Sequence, residues 1–360
     1  MRNAALVVGA RGVIGGNLVE YLKTHEDWDI IGLSRRGGTD EPNVRHIAVD
    51  LCDRKDTEEK LGNLPGITHI FYAAYQDRGT WAELVAPNMA MLRNVVDTVE
   101  STSTDLRHIS LMQGYKVYGA HLGKFTTPAR ESDPGHLSPE FNTEQQRFLE
   151  SRSVGAPWTW TAMRPSVVCG FGLGNPMNLA TVIAVYASIS KELGVPLRFP
   201  GKLGAYSSLL EMTDAGLLAE ATVWAATTAA CANQAFNITN GDLFRWEALW
   251  PRIAEFFELD TAAPLQVSLA ETMPEMESVW NSMVERHELE STIYSDIAAW
   301  PFGDFVFGWD YDFVADGSKA RRFGFHRYAE TEKMFMDIFS DLQRRNIIPM
   351  VTSRSRAVHR

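Results

Sequence analysis

The chain has 360 residues, of which 45% are hydrophobic and 22% charged. That length suits two lobes, or one large α/β domain with an appended cap, and the composition excludes extensive disorder, a collagen-like repeat and a small disulfide scaffold. The formal net charge of −11 opposes nucleic-acid and anionic-membrane partners, both of which require a basic footprint.

In chain order, Ala4–Val8 is a short continuous apolar run, the mark of a strand buried on both faces. It leads into Gly9-Ala10-Arg11-Gly12-Val13-Ile14-Gly15, and a helical pattern with Leu18, Val19 and Leu22 on one side follows. Ile30–Leu33, Val44–Val49, His69–Ala73 and Leu106–Leu111 read as further strands, and Ala86–Val99 as a helix. Strands separated by helices require right-handed crossovers, so the fold class is α/β with a doubly wound parallel sheet of Rossmann type. Thr126–Pro139, with three prolines, reads as loop. Trp158–Arg164 and Phe236–Ile238 read as returning strands, Leu179–Leu193 as a helix outside the sheet, and Ala262–Tyr294 as a helical insertion. The expected organisation is a dinucleotide-binding domain over residues 1–170 with strand returns near 205–240. A smaller, mainly helical substrate-binding part follows over 171–205 and 241–350, and a basic, frayed tail over 351–360. Trp300, Phe302, Phe305 and Phe307 pack this smaller part or touch its substrate.

Cys52, Cys169 and Cys231 offer neither a disulfide framework nor a zinc spacing, and the histidines match no metal motif. No secretory leader and no membrane span is legible, so a cytoplasmic protein without a metal is expected.

Gly9, Gly12 and Gly15 stand directly after a strand and before a helix. A tight turn there needs glycine, the backbone must approach a pyrophosphate without a Cβ in the way, and the helix N-terminus supplies free N–H groups. Arg11, Val13 and Ile14 complete this candidate cofactor loop. An acid at the end of the second strand would accept from the ribose 2′-OH of NAD. The chain has Ser34, Arg35 and Arg36 there instead, a hydroxyl and two guanidinium groups that suit a 2′-phosphate, which predicts NADP(H). Asp50 and Leu51 close the third strand beside the expected adenine, and the small Ala73 and Ala74 close the fourth.

Together with these, several segments carry a resemblance: Gln113-Gly114-Tyr115-Lys116-Val117-Tyr118-Gly119, Met163-Arg164-Pro165, Phe236–Asp242, Trp300–Gly303 and Lys319–Phe325. The chain resembles an extended short-chain dehydrogenase/reductase, and within that group it is similar to the progesterone 5β-reductase/iridoid synthase-like (PRISE) family. The similarity runs from about residue 4 to about residue 349. It implies NADPH-dependent reduction of an activated carbon–carbon double bond in an enone or enal, a small or steroid-like apolar carbonyl compound. It adds Gln113, Pro165, Ser166 and Val167 to the cofactor contacts, Lys116 as the cation at the nicotinamide ribose and the developing oxyanion, and a homodimer as the assembly. Tyr75, Leu122, Phe125 and Met177 are the candidate substrate-lining residues, in keeping with an apolar pocket.

The family's oxyanion donor is a tyrosine in an Asn-Phe-Tyr-Tyr-type segment. The matching stretch is Pro139-Glu140-Phe141-Asn142-Thr143-Glu144, so Asn142 and Thr143 replace both tyrosines. Three readings stay open. Asn142 or Thr143 donates a neutral hydrogen bond, Tyr118 or Tyr115 substitutes as the phenol, or the reaction has changed. The rivals on the same scaffold are a carbonyl reductase and a catalytically silent NADP(H)-binding regulator.

Overall fold

The structure is a computed structural model that describes residues 2–64, 66–135, 140–172, 174 and 177–351. Its elements begin with β1 (Asn3–Val8), α1 (Val13–Lys23), β2 (Trp28–Ser34), β3 (Val44–Ala48), α2 (Arg54–Leu61), β4 (His69–Tyr72), α3 (Val85–Thr102) and β5 (His108–Met112). A 3-10 turn over Tyr115–Tyr118 precedes α4 (Phe141–Arg152), β6 (Thr159–Pro165), β7 (Val167–Cys169) and α5 (Leu179–Glu192). Then come β8 (Leu197–Arg198), α6 (Leu203–Ser207), β9 (Met212–Asp214), α7 (Ala215–Thr227), β10 (Gln234–Ile238) and α8 (Trp246–Phe256). The remaining long helices are α9 (Glu277–His287), α10 (Trp300–Phe307) and α11 (Thr331–Arg344). The chain divides into two compact units, the first made of Met1–Gly172, Glu211–Asp242 and Phe313–Ala329, the second of Leu173–Leu210, Leu243–Asp312 and Glu330–Arg360.

The first unit is built on a seven-stranded sheet in the order β10-β6-β5-β4-β1-β2-β3, parallel throughout. The apolar runs of the sequence explain it. Alternate residues of β1 point to opposite faces, and both faces are covered. Leu6 and Val8 join Leu61 of α2, Leu92, Val95 and Val99 of α3, and Leu149 of α4. Ala5 and Val7 join Leu18 and Leu22 of α1 and Ala219 and Val223 of α7. Strand order reverses between β1 and β4, which is where ligands bind open sheets of this kind, outside the carboxyl ends of the strands. Register sets what gathers there. Val8 pairs with Leu33 and with Tyr72, so Gly9, Ser34 and Ala73 emerge side by side.

Most expected elements shift only at their ends. The exception is Ala262–Tyr294, where residues 263–268 are not helical and helical structure runs from Leu269, through a short helix Leu269–Thr272 and a 3-10 turn Met273–Met276, into α9. Pro264 and the run of polar residues after it interrupt the period there. In the second unit, Phe199, Trp246, Trp250 and Phe307 form an edge-to-face cluster with ring centroids 5.2–6.0 Å apart. Trp300 and Phe307 are thus core residues of that unit. No helix among the described residues is long and apolar enough to cross a membrane, and no group of His, Cys, Asp or Glu among them is arranged to hold a metal ion. The tail over Thr352–Arg360 lies outside the described residues, as does Pro139.

At the amino edge of the sheet, His69 and His108 are register partners with rings 6.4 Å apart. His108 is bonded on both ring nitrogens, to Thr159 and Thr161 hydroxyls at 2.9 Å each. Burial, with smaller help from the Arg107 charge, lowers His69 to about 4; burial and then His69 itself lower His108 to about 3. An unfolded histidine takes its proton near pH ~6.5. Below that pH the unfolded chain binds protons that the fold excludes, so stability falls as pH drops from ~6.5 toward the folded values. We expect the thermal midpoint to fall over that window, and His108→Asn to flatten the fall relative to the wild-type protein in paired calorimetric scans.

Candidate active site

The glycine turn is a backbone-on-backbone contact. Gly9 has φ +92°, and a Cβ there would stand 2.9 Å from the Ala73 carbonyl carbon and oxygen. A Cβ on Gly15 would stand 2.2 Å from the Gly9 oxygen. Both positions therefore exclude a side chain. Gly9 and Ala10 N–H donate to the Leu33 carbonyl at 2.9 Å each, which fastens the turn to β2. Gly12 is the N-cap of α1 and brings no side-chain cap, and the first turn carries no acid. The N–H groups at that helix start are thus left for an anion. A nicotinamide dinucleotide fits this cradle: Gly9, Gly12 and Gly15 would let its pyrophosphate approach, with Val13 and Ile14 in the first helical turn.

The next loop is ordered from within. The Ser34 hydroxyl (3.0 Å) and the Arg11 Nη1 (3.2 Å) both donate to the Gly37 carbonyl. Both bonds shape the loop that carries Arg35 and Arg36; Arg11 is exposed and Ser34 half-buried. Those two side chains are exposed, and among the described residues neither enters an ion pair. Asp50 is exposed, and its Oδ1 accepts from the Cys52 N–H at 3.0 Å, closing the turn after β3. Leu51 is buried beneath it, and its carbonyl accepts from Asn94. Ala73 and Ala74 are half-buried beside Gly9.

Lys116 sits on the 3-10 turn after β5. Its Nζ lies 4.7 Å from the Trp81 ring centroid, 5.3 Å from Tyr75 and 6.0 Å from Phe141. No carboxylate is within ion-pair distance of it among the described residues. Burial pushes its ammonium below the ordinary lysine range, and the charges of Glu140 and Asp77 oppose that shift. The loop after β4 is pinned for this purpose. Asn88 of α3 accepts from the Gln76 N–H and donates to the Gln76 carbonyl, both at 2.9 Å, and the Tyr75 hydroxyl donates to Asp77.

Asn142 and Thr143 occupy the first turn of α4, and both are engaged by one carboxylate. Glu140, the N-cap, accepts from the Asn142 N–H (3.1 Å) and Nδ2 (2.8 Å), and from the Thr143 N–H (2.9 Å) and hydroxyl (3.1 Å). The Thr143 hydroxyl proton and one Asn142 amide proton are thereby committed. The two candidate phenols are committed as well. Tyr118 donates to Asn237 (2.6 Å) and accepts from Arg164, and burial raises it to about 12 against the opposing Arg164 charge. Tyr115 donates to Glu211 (2.5 Å), whose same oxygen accepts the Ala315 N–H (2.6 Å), and burial raises Glu211 to about 7. Gln113 bridges the Asn142 carbonyl and the Arg164 guanidinium. Pro165 ends β6; Ser166 donates to the Glu211 carbonyl; Val167 starts β7. Phe125 stacks among Tyr115 and Phe313, Leu122 is exposed, and Met177 is an exposed residue of the second unit. Sequence reasoning missed Trp81, Glu140 and Glu211. Glu140 carried a legible signal, an acid just ahead of a helical stretch, whereas Trp81 and Glu211 carried none.

A doubly wound parallel sheet, a glycine cradle at its switch point and a lysine on the turn after β5 form the architecture of an extended short-chain dehydrogenase/reductase. Solved structures agree at the level of fold. A GDP-mannoheptose C4 reductase from Campylobacter jejuni with NADP bound aligns with a TM-score of 0.67 over 94% of this chain and 98% of its own, at 11% identity. The Bordetella bronchiseptica enzyme WbmH in complex with NAD+ aligns at 0.65 over 95% and 99%, with 15% identity. The (S)-8-oxocitronellyl enol synthase CYC2 of Camptotheca acuminata is 31% identical over 97% of this chain and 94% of its own. The 3-oxo-Delta(4,5)-steroid 5-beta-reductase of Arabidopsis thaliana is 30% identical over 96% and 93%. A family model described as a PRISE-like Rossmann-fold domain matches residues 49–349. The chain belongs to that family and is an oxidoreductase.

Gly15→Ala forces a methyl group against the Gly9 carbonyl, an overpacking that costs about 1–3 kcal/mol. We expect a lower thermal midpoint and loss of cofactor-induced stabilisation, measured by calorimetry with and without NADPH.

Proposed function

We propose that the protein reduces the activated carbon–carbon double bond of an enone or enal in an apolar carbonyl compound, with NADPH as its coenzyme. One observation carries this reading. Lys116 is a half-buried cation within an aromatic cage and outside any ion pair among the described residues, while the Thr143, Tyr115 and Tyr118 hydroxyls are already spent on Glu140, Glu211 and Asn237.

When bound, NADPH supplies a hydride to the substrate's β-carbon. The electron pair displaced from the double bond then resides on the carbonyl oxygen as an enolate. Lys116 meets that charge with a preorganised ammonium in a water-poor setting, where such a cation is most effective. The α-carbon of an enolate takes its proton from water, so the chain needs no dedicated phenol for that step. Reduction of a simple ketone depends directly on a proton donor at the oxygen, and the commitments of Asn142, Thr143, Tyr115 and Tyr118 favour the alkene reading over it. Tyr75 and Phe141 bring apolar surface to the same place, as an uncharged substrate requires. Coenzyme choice follows from Arg35 and Arg36, which would hold a 2′-phosphate by charge-assisted hydrogen bonds.

The test is NADPH oxidation with 2-cyclohexen-1-one and with progesterone, followed by product analysis. The saturated ketone supports the proposal. An allylic alcohol makes the protein a carbonyl reductase, and tight NADPH binding without turnover of enones, aldehydes or ketones makes it a silent binding protein. Lys116→Ala is expected to lower kcat roughly a hundredfold, the usual effect of losing an oxyanion donor. Replacing both Arg35 and Arg36 by alanine is expected to weaken NADPH by roughly tenfold or more, since each charge-assisted bond is worth ~1.5–3 kcal/mol, and to leave NADH affinity nearly unchanged in fluorescence titrations.

A further inference from the structure

We propose that Trp81 is a positioning residue for Lys116, its indole face holding the ammonium where the substrate oxygen is to be met. The inference rests on the reading of Lys116 given above, and it concerns a residue on the loop between β4 and α3.

Trp81 is 42% exposed, an uncommon place for the largest aromatic side chain unless it covers something. What it covers is the ammonium, at 4.7 Å and nearer than either of the other two rings. Indole is also the ring with the strongest attraction for a cation. The turn that presents it is built for one geometry. Thr80 N–H donates to the Glu83 carboxylate at 3.1 Å while Glu83 N–H donates to the Thr80 hydroxyl at 3.4 Å, a reciprocal capping arrangement. The indole also meets the His121 ring, centroids 4.7 Å apart at 70°.

The other rings of the cage have separate duties. The Tyr75 hydroxyl donates to Asp77, and Phe141 opens α4. The charged groups that face the ammonium are Asp77, on the same loop as Trp81, and Glu140, at the start of α4; neither is within ion-pair distance. In the lysine–tyrosine pairing that the family resemblance implies, the phenol stands beside the lysine. Here Asn142 stands in that segment and turns its amide to Glu140. A lysine without such a neighbour is a long flexible side chain with three donors and no fixed direction. The indole face restores a direction by attraction rather than by a hydrogen bond, and so leaves all three N–H groups available to an oxygen.

The experiment compares the wild-type protein with Trp81→Leu and Trp81→Phe in two readouts. Leucine keeps apolar cover but removes the π face; phenylalanine restores a weaker one. In protein labelled with 13Cε-lysine, the Lys116 resonance, assigned by its loss in Lys116→Arg, is titrated by NMR. We expect its midpoint at lower pH in Trp81→Leu than in wild type, with Trp81→Phe between. In steady-state kinetics with 2-cyclohexen-1-one, we expect Trp81→Leu to lower kcat about tenfold, within the range of a partly desolvated cation–π contact. Its alkaline limb moves to lower pH, NADPH KM is unchanged, and Trp81→Phe recovers most of the loss. Identical Lys116 midpoints in wild type and Trp81→Leu overturn the proposal whether or not the protein turns over. Shifted midpoints with unchanged kcat and pH profile also overturn it, since the contact then has no bearing on turnover. A shifted midpoint in a protein that reduces no enone upholds the contact while overturning the reading of Lys116 as an oxyanion donor.

Discussion

The backbone of the β1–α1 turn passes so close to its own helix and to the end of β4 that no Cβ fits. Gly15 abuts the Gly9 carbonyl, and Gly9 abuts the Ala73 carbonyl. Everything else at the carboxyl edge of the sheet depends on that contact. It brings the uncapped start of α1 beside β4, and β4 delivers the loop that carries Tyr75 and Trp81. A single methyl group at either glycine would push these two elements apart, and the anion cradle and the lysine cage would lose their common frame. The β1 register with β2 adds the arginine loop to the same edge.

The electrostatics of the site follow a consistent logic. Arg35, Arg36 and Lys116 stay outside ion pairs among the described residues, while the hydroxyl donors near Lys116 are bonded within the protein. Arg35 and Arg36 are exposed, while Arg11 and Ser34 each donate to the Gly37 carbonyl of their loop. Lys116 is desolvated and unpaired, while Glu140 takes up both side chains of the first turn of α4. A carboxylate at an N-cap suits the helix dipole. Glutamate is a less usual choice than serine, threonine, aspartate or asparagine, and its longer stem is what lets two oxygens reach four donors at once.

The Rossmann sheet was legible because its signals are local. Apolar runs of strand length, a glycine triplet in strand–turn–helix context and crossover helices with apolar faces each lie within a few residues of one another. The place of Arg35 and Arg36 just past β2 was legible for the same reason, since the end of β2 is defined by the strand itself. The bonds from Ser34 and Arg11 to Gly37 were not legible, because the acceptor is a backbone carbonyl, which bears no sequence mark. Nor was the Trp81–Lys116 contact, which joins residues 35 positions apart through two loops whose geometry depends on Asn88, Thr80 and Glu83. The non-helical stretch over residues 263–268 shows the opposite failure: composition favoured helix, and local turn residues prevailed until Leu269.

The two tyrosines nearest to Lys116 in sequence look at first like ready substitutes for the missing phenol, and the structure shows why they are not. Both lie on the same 3-10 turn as the lysine, and both send their hydroxyl groups away from it, Tyr115 to Glu211 and Tyr118 to Asn237. Burial makes each phenol a weaker acid than an exposed one, and each already donates the proton that an oxyanion would need. Their service is mechanical. A turn of only four residues has poor internal hydrogen bonding, so it needs anchors, and the phenols are those anchors. Lys116, fixed through them at its backbone, still has a flexible stem. The aromatic cage constrains the far end of that stem, so the ammonium is held at both ends by groups that compete for none of its donors.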